Sequence, residues 1–262
     1  MGQENSSWIA SDRSRVRVLT ANRPEALNAL SHDVVQGLTA GLEAAAADEN
    51  IRVLVLTGSG KAFSAGADLD ALADPSDPDN RKMIAESVPA MFEALINFPK
   101  PLLMAVNGMG VGFGATVLGL ADIAVMAEGA RLMVPFSKLS VVPEACSTYT
   151  FPKLLGYQRA FWFLLSGEWM SARECLDAGL VLEVLPDEDV LEAVLDMAAH
   201  LAQFPAHTLV ESKALLRGHN REQLLAANRL EIERLRTLLE HPACAEGIAA
   251  VREKRSPNYG GF

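Results

Sequence analysis

A single carboxylate, Glu144, lies in the otherwise apolar stretch PFSKLSVVPEACSTYTFP, which runs from Pro135 to Pro152. Lys138 is the other charged residue of this stretch. Burial removes water from a carboxylate, which raises its pKa and makes it a stronger base. The stretch therefore predicts a buried residue that transfers a proton. The alternative is a solvated glutamate in a turn after Pro143, because most glutamates are exposed.

The first of two glycine-bearing loops, GSGKAFSAGADL, runs from Gly58 to Leu69. Its GSGK segment resembles a phosphate-binding P-loop, but Val55 stands where that motif needs glycine and Ala62 where it needs serine or threonine. The small residues from Ser64 to Ala67 would let a ligand approach the backbone closely. A tight turn would explain the same residues, so this loop alone leaves a binding site and a plain turn open.

The second loop, NGMGVGFGA, runs from Asn107 to Ala115 and has two interpretations. Gly110, Gly112 and Ala115 satisfy the dinucleotide-binding pattern, and Glu128 follows near the expected distance. Against a dinucleotide site, only residues 116–121 separate the loop from the next predicted strand, which is fewer than the dozen that a parallel crossover needs. We favour a loop that exposes backbone N–H groups at a helix N-terminus, where developing negative charge is stabilised.

The elements that must position these loops alternate between strand and helix, as is typical of an α/β core. The pattern predicts strands over residues 16–20, 51–58, 101–106 and 122–127, and helices over 31–47 (with Ser31 as N-cap), 81–97 and 115–120. A polar loop is predicted at residues 73–80. Beyond Pro186 we expect helices over residues 189–203, 206–218, 221–239 and 242–254. We accordingly divide the chain into a core, residues 1–195, and a C-terminal helical region, residues 196–262, expected to serve oligomerisation and to cover the site.

Composition excludes several classes of protein. A chain of 262 residues that is 50% hydrophobic can bury a substantial core. Its net charge of -10, with no cluster of basic residues, argues against a nucleic-acid partner. No apolar run reaches the ~20 residues of a membrane span, so we expect none. The first residues lack the apolar segment of a secretion signal, and the three cysteines are widely spaced, which predicts a cytoplasmic protein with free thiols.

Other reactive side chains receive structural interpretations. Cys146 has no histidine near it in the sequence, so we interpret it as a buried, inert thiol rather than a nucleophile. The five histidines show no metal-binding spacing, which predicts no metal site. The run FWFLL, from Phe161 to Leu165, is interpreted as part of the core.

Taken together, these segments resemble the crotonase (enoyl-CoA hydratase/isomerase) superfamily over nearly the whole chain. The matching segments are NRPEALNAL (Asn22 to Leu30), LTGSGKAFSAGADL (Leu56 to Leu69), PLLMAVNGMGVGFG (Pro101 to Gly114), ADIAVM (Ala121 to Met126) and LLSGEWMSARECLDAGLV (Leu164 to Val181). The resemblance implies an α/β fold, a spiral of ββα units with a C-terminal helical region. It also implies a homotrimer or a dimer of trimers that binds acyl-coenzyme A thioesters. No separate cofactor is implied, because coenzyme A is part of the substrate.

The resemblance also implies roles for individual residues. The backbone N–H groups of Ala67 and Phe113 would bind the thioester oxygen, each following a glycine. The substrate would otherwise lie along the residues Ala26, Ser64, Ala65, Gly66, Asp68, Leu69 and Gly112.

The catalytic acids distinguish reactions within this superfamily. Hydratases use two glutamates, whose positions are occupied here by Thr116 and Phe136. Δ3,Δ2-enoyl-CoA isomerases of the peroxisomal type instead carry one catalytic glutamate at the position of Glu144. The resemblance thus implies an intramolecular isomerase that moves the double bond of 3-enoyl-CoA to give 2-trans-enoyl-CoA, with fatty acid β-oxidation as the expected pathway. The alternatives are a non-catalytic acyl-CoA-binding protein of this fold, or thioester hydrolysis or hydration by the same fold.

Overall fold

The computed structural model describes residues 6–68 and 77–262. Leu69 and residues 73–76 of the predicted polar loop lie outside these ranges. Residues 78–80 of that loop are instead helical, since a helix begins at Pro78 with Asp77 as its N-cap. The strands of the larger sheet, in their spatial order, are β1 (Trp8–Arg13), β2 (Val16–Ala21), β3 (Val53–Gly58), β5 (Leu102–Val106), β7 (Ile123–Ala127) and β10 (Glu183–Leu185). The strands of the smaller sheet, likewise in order, are β4 (Ala62–Ser64), β6 (Met109–Val111), β8 (Arg131–Met133) and β9 (Trp169–Ser171).

The larger sheet is parallel from β2 through to β10, and β1 is added antiparallel at its edge. β3 and β5 are buried along their whole length, as expected for central strands of a parallel sheet covered on both faces. These strands confirm the sequence-based expectation. β1 was not predicted, because its residues WIASDR do not alternate between apolar and polar side chains and nearly all are exposed.

A repeating ββα unit connects the two sheets. In β3–β4, β5–β6 and β7–β8, the first strand joins the larger sheet and the second joins the smaller one. The two glycine-bearing loops leave the smaller sheet after β4 and β6, which pair in parallel. The adjacent strands therefore bring the two loops together, and the predicted spiral α/β fold is confirmed.

Helices cover the sheets and form the C-terminal region. They are α1 (His32–Ala47), α2 (Pro78–Lys82), α3 (Val88–Asn97), α4 (Phe113–Thr116), α5 (Ser147–Leu155), α6 (Tyr157–Ser166), α7 (Ala172–Asp177), α8 (Val190–Leu201), α9 (Ala206–Leu239) and α10 (Pro242–Arg252). Ser31 caps α1 as predicted, since its side chain accepts a hydrogen bond from the Val34 N–H group. A π-helical turn, Met83–Ser87, joins α2 to α3.

Besides the predicted loop at residues 73–80, three expectations need correction. The crossover from β5 to β7 is long enough, because residues 107–122 form it; the objection to a dinucleotide site counted only the part after Ala115. The helices predicted on either side of Gly218 are one helix, α9, because a glycine inside a long helix costs only about 1 kcal/mol. In the run FWFLL, Phe163 and Leu164 are buried, but Phe161 and Trp162 are exposed, since the run lies on the amphipathic helix α6.

The proposed division at residue 195 falls inside α8, which packs against β3 and β5. The division therefore marks a change in the kind of element rather than a break between separate bodies. It stays a prediction.

Candidate active site

A cavity of about 440 Å³ lies between the two glycine-bearing loops and the C-terminal helices; we call it the main cavity. The first loop contributes Ala65 and Ala67, and the second contributes Gly112 and Phe113. Glu144 lines the same cavity. The remaining lining is mostly apolar and includes Leu30, Val35, Met83, Val88, Met109, Val111, Met133, Phe136, Leu139, Val141, Trp169, Leu235, Leu239, Cys244, Ile248 and Val251.

Glu144 is buried, with a relative exposure of 9%. Burial raises the pKa of its carboxyl group to about 8. The Thr116 hydroxyl lowers that pKa by donating a hydrogen bond of 2.7 Å to Oε1, and the nearby Glu231 carboxylate raises it. Glu144 is therefore poised to gain and lose a proton near neutral pH, where a general base is most effective.

A strained turn directs Glu144 into the main cavity. Ala145 and Cys146 both have left-handed backbone conformations, with φ of 57° and 59°. Such conformations are rare for residues other than glycine and persist where the surrounding structure enforces them. Helix α5 begins directly afterwards at Ser147, whose hydroxyl and N–H group both donate to the Glu144 carbonyl oxygen.

Ala67 and Phe113, the two residues predicted to supply oxyanion-binding N–H groups, both line the main cavity. In the described part of the chain, the Ala67 and Phe113 N–H groups have no hydrogen-bond acceptor. The loops touch so closely that a Cβ on Gly66 would lie 2.5 Å from the Val111 carbonyl oxygen. Gly112 precedes Phe113 with φ of 53° and ψ of −116°, a conformation that L-residues avoid. The glycines thus allow two free donors to lie at the edge of one cavity.

Thr116 links the second loop to Glu144. Its hydroxyl lies 2.7 Å from Glu144 Oε1 and 3.1 Å from the Gly112 carbonyl oxygen. A hydroxyl has one hydrogen, so it donates to only one of these at a time. When Glu144 is ionised, donation to the carboxylate is favoured. When Glu144 is protonated, its own O–H can donate to Thr116, which then donates to Gly112.

The other predicted binding residues do not line the main cavity. Ser64 is buried, and its hydroxyl donates to the Asn28 carbonyl oxygen and accepts from the Gly66 N–H group. Asp68 lies 3.7 Å from Arg23. Ala26 is half-buried in a 3₁₀ turn. Leu69 lies outside the described residues, so the roles of this group in binding stay predictions.

Two further buried groups, Cys146 and Glu231, lie at the Glu144 turn. The first was interpreted from the sequence and the second was missed. Cys146 is fully buried, and its thiol donates to the Leu224 carbonyl oxygen. Burial raises the pKa of this thiol, as do the carboxylates of Glu231 and Glu144, which agrees with an inert thiol. Sequence reasoning missed Glu231, a buried acid of α9. In the structure, Leu224, Asn228, Glu231 and Ile232 form a buried face of α9 at helical spacing, but the many charged residues of this helix hide that face in the sequence.

A family model described as enoyl-CoA hydratase/isomerase matches residues 11–261. The chain belongs to this family. The Escherichia coli (strain K12) protein named 2,3-dehydroadipyl-CoA hydratase is 37% identical over 257 residues, covering 98% of this chain and 99% of that protein. Enoyl-CoA delta isomerase 2 of Rattus norvegicus is 34% identical over 250 residues, covering 94% of this chain and 63% of that protein. The family is thus shown, with relatives named for both reactions.

Solved structures of the enoyl-CoA hydratase/isomerase family agree with this assignment. The crystal structure of an enoyl-CoA hydratase/isomerase from Pseudoalteromonas atlantica T6c superimposes with a TM-score of 0.90 at 34% identity, covering 97% of this chain and 99% of that one. No cluster of three metal-ligating side chains occurs in the described ranges. Residues 6–68 and 77–262 also contain no helix long and apolar enough to span a membrane.

Proposed function

We propose that this enzyme is a Δ3,Δ2-enoyl-CoA isomerase. One observation carries the proposal: among the described residues that line the main cavity, Glu144 is the only carboxylate, and it shares the cavity with the free N–H groups of Ala67 and Phe113. This arrangement provides one base and one oxyanion-binding pair. Those are the parts that a double-bond shift next to a thioester requires.

The proposed reaction begins at C2 of a 3-enoyl thioester, whose protons lie between a carbonyl and an alkene. Ionised Glu144 removes one of these protons, and the electron pair forms a dienolate with its charge on the thioester oxygen. The N–H groups of Ala67 and Phe113 donate to that oxygen, and each such donor is typically worth ~10²–10³ in rate. Protonated Glu144 then returns the proton to C4, so the double bond moves into conjugation and the base is regenerated.

The lining of the main cavity supports an acyl chain as the substrate's tail. Leu235 and Leu239 of α9 and Ile248 and Val251 of α10 close the cavity with apolar side chains. The family match supports a coenzyme A thioester, with Ala26, Ser64, Ala65, Gly66 and Asp68 proposed along it. A water-poor cavity also keeps the dienolate from being protonated by solvent.

A direct assay with 3-hexenoyl-CoA tests the proposal. We expect the ultraviolet absorbance of the conjugated 2-enoyl thioester to appear in proportion to enzyme concentration. Binding of the thioester without reaction would instead indicate an acyl-CoA-binding protein, and release of free thiol would indicate a thioesterase. Either result would overturn the isomerase proposal.

Hydration is the second candidate, favoured by the name of the 37% identical Escherichia coli relative. Hydratases use two glutamates to position and activate the attacking water. In this chain, Thr116 and Phe136 stand at the positions of those two glutamates. Incubation with 2-hexenoyl-CoA discriminates hydration from isomerisation, because hydration removes the conjugated absorbance. We expect no such loss.

We expect kcat/KM of isomerisation to rise with pH through about 8, because Glu144 must be ionised to act as a base and its pKa is about 8. Thr116→Val removes a hydrogen bond that favours the ionised form, so the midpoint should move to higher pH. Thr57→Val is the matched control, since Thr57 is buried and donates to the Ala105 carbonyl oxygen away from Glu144. A pH profile that is flat between pH 6 and pH 9 would contradict the assignment of Glu144.

The assembly into a homotrimer or a dimer of trimers stays a proposal that rests on the family. The exposed aromatic side chains of Tyr157, Phe161 and Trp162 on α6 support an apolar contact with another copy. The cytoplasmic location and β-oxidation as the pathway likewise stay proposals.

A further inference from the structure

The buried carboxylate of Glu231 lies on the side of the Glu144 turn that faces away from the main cavity. Its relative exposure is 4%, and it is not among the residues that line the cavity. Oε2 accepts a hydrogen bond of 2.7 Å from the Cys146 N–H group. Oε1 accepts from the N–H group of Thr148 at 3.0 Å and from its hydroxyl at 2.5 Å. Both oxygens are therefore engaged by donors of one short segment.

These contacts act at the point where the chain is strained. Cys146 is the N-cap residue of α5, has a left-handed conformation, and has no side-chain capping bond of its own. The first N–H groups of a helix need acceptors, and its positive end favours a negative charge. Glu231 of α9, which is distant in the sequence, supplies both the acceptor oxygens and the negative charge. It thereby holds the conformation that directs Glu144, two residues earlier, into the cavity.

We propose that Glu231 is a positioning residue for Glu144: its ionised carboxylate caps α5, fixes the left-handed turn and places its charge beside the base. This proposal rests on the proposed isomerase function. Glu231 does not touch substrate, so its effect passes through the turn and through its electric field.

The charged groups around Glu144 and Glu231 support the proposal that the charge of Glu231 acts on Glu144. Among the described residues, Glu231 is the charged group that raises the pKa of Glu144. The carboxylates of Glu231 and Glu144 and the guanidinium of Arg217 all act on the pKa of the Cys146 thiol, and Lys138 lines the main cavity together with Glu144. Burial raises the pKa of Glu231 to about 7, and its three hydrogen bonds partly offset this rise. An ionised Glu231 raises the pKa of Glu144 and so strengthens it as a base.

The test is Glu231→Gln. The amide has one acceptor oxygen and an NH₂ group, so the N–H group of either Cys146 or Thr148 must face another donor. We expect kcat to fall by roughly 10- to 100-fold, the size of effect that a misplacement of about 1 Å produces, with little change in KM. We also expect the midpoint of the kcat/KM profile to move to lower pH, because a like charge is lost. A purely structural role would lower activity without moving this midpoint.

Glu222→Gln is the matched control, because Glu222 is an exposed residue of the same helix. We expect its kcat and pH midpoint to equal those of the wild type. If Glu231→Gln fails to fold, Thr148→Val removes one of the three donors and leaves the carboxylate. For Thr148→Val we expect kcat to be lower by about threefold to tenfold, because one of several positioning contacts is lost. An unchanged kcat in the folded variant overturns the proposal.

A measurement without turnover separates this proposal from the proposed function. The ¹³Cδ resonance of Glu144, assigned by its absence in Glu144→Gln, reports ionisation of that carboxyl group directly. We expect its titration midpoint to be lower in Glu231→Gln than in the wild type. An enzyme that does not isomerise 3-hexenoyl-CoA but shows this shift would overturn the isomerase while supporting the coupling. An unshifted midpoint in an active isomerase would overturn the coupling alone.

Discussion

Glu144→Gln should lower kcat for 3-hexenoyl-CoA by about 10²- to 10⁴-fold, the contribution typical of a positioned general base. Glutamine matches glutamate in size and can still accept the Thr116 hydrogen bond, but it cannot take a proton from C2. KM should change little, because the apolar lining and the N–H pair remain. Stopped-flow absorbance of the conjugated product measures both constants.

Stability separates this catalytic loss from misfolding. Glu144 has a pKa of about 8 in the folded chain against an ordinary value of 4.5, so the native state binds a proton more tightly than the unfolded state. This contribution is full below pH 4.5 and is lost as pH rises to about 8. Glu144→Gln has no such titrating group. Its melting temperature should therefore fall less between pH 6 and pH 8.5 than that of the wild type. Near-normal kcat in a folded variant would remove Glu144 from the mechanism.

Gly112→Ala should lower kcat by about 10²-fold, as for the loss of one oxyanion donor. A Cβ at Gly112 meets nothing closer than the Gly66 Cα at 3.8 Å, so it has room. The cost lies in the backbone, because φ of 53° with ψ of −116° is strained by about 1–3 kcal/mol for alanine. We expect the chain to relieve that strain by rotating the peptide group that carries the Phe113 N–H, which would aim the donor away from the thioester oxygen.

Gly218→Ala is the matched control for this substitution. Gly218 lies inside α9 with open space around the added Cβ, so alanine should stabilise the helix by up to about 1 kcal/mol without affecting turnover. A crystal structure of Gly112→Ala with a bound acyl-CoA analogue would show the rotated peptide. Full activity together with an unrotated peptide would argue against the Phe113 N–H group as an oxyanion donor.

The strands and the first helix were predictable because their signals are local. β3 is a run of buried β-branched and aliphatic residues, and Ser31 precedes a helix that contains no proline. The edge strand β1 was missed because its residues lack the alternating pattern of a half-buried strand, and its pairing with β2 is what forms it. The single helix α9 was missed because its packing against α3 outweighs the local cost of Gly218.

The candidate site divides in the same way. Glu144 was identifiable because a lone acid among apolar residues stands out in the sequence. Its partner Glu231 was not, because α9 is rich in charged residues and only the packing shows which of its faces is buried. Thr116 was noted for lacking a carboxyl group, whereas its hydrogen bond to Glu144 depends on the approach of two separate segments.

By itself, the sequence determined that this chain folds as an α/β enzyme of the enoyl-CoA hydratase/isomerase family, with one apolar-flanked glutamate and two glycine-bearing loops. Residue types and spacing are enough for that, since they fix local conformation and burial. Only the tertiary structure decided that Glu144 shares a cavity with Ala67 and Phe113 and that the charge of Glu231 acts on its pKa. The ionisation of a carboxyl group depends on the groups within a few ångströms of it, and those groups come from segments that are distant along the chain.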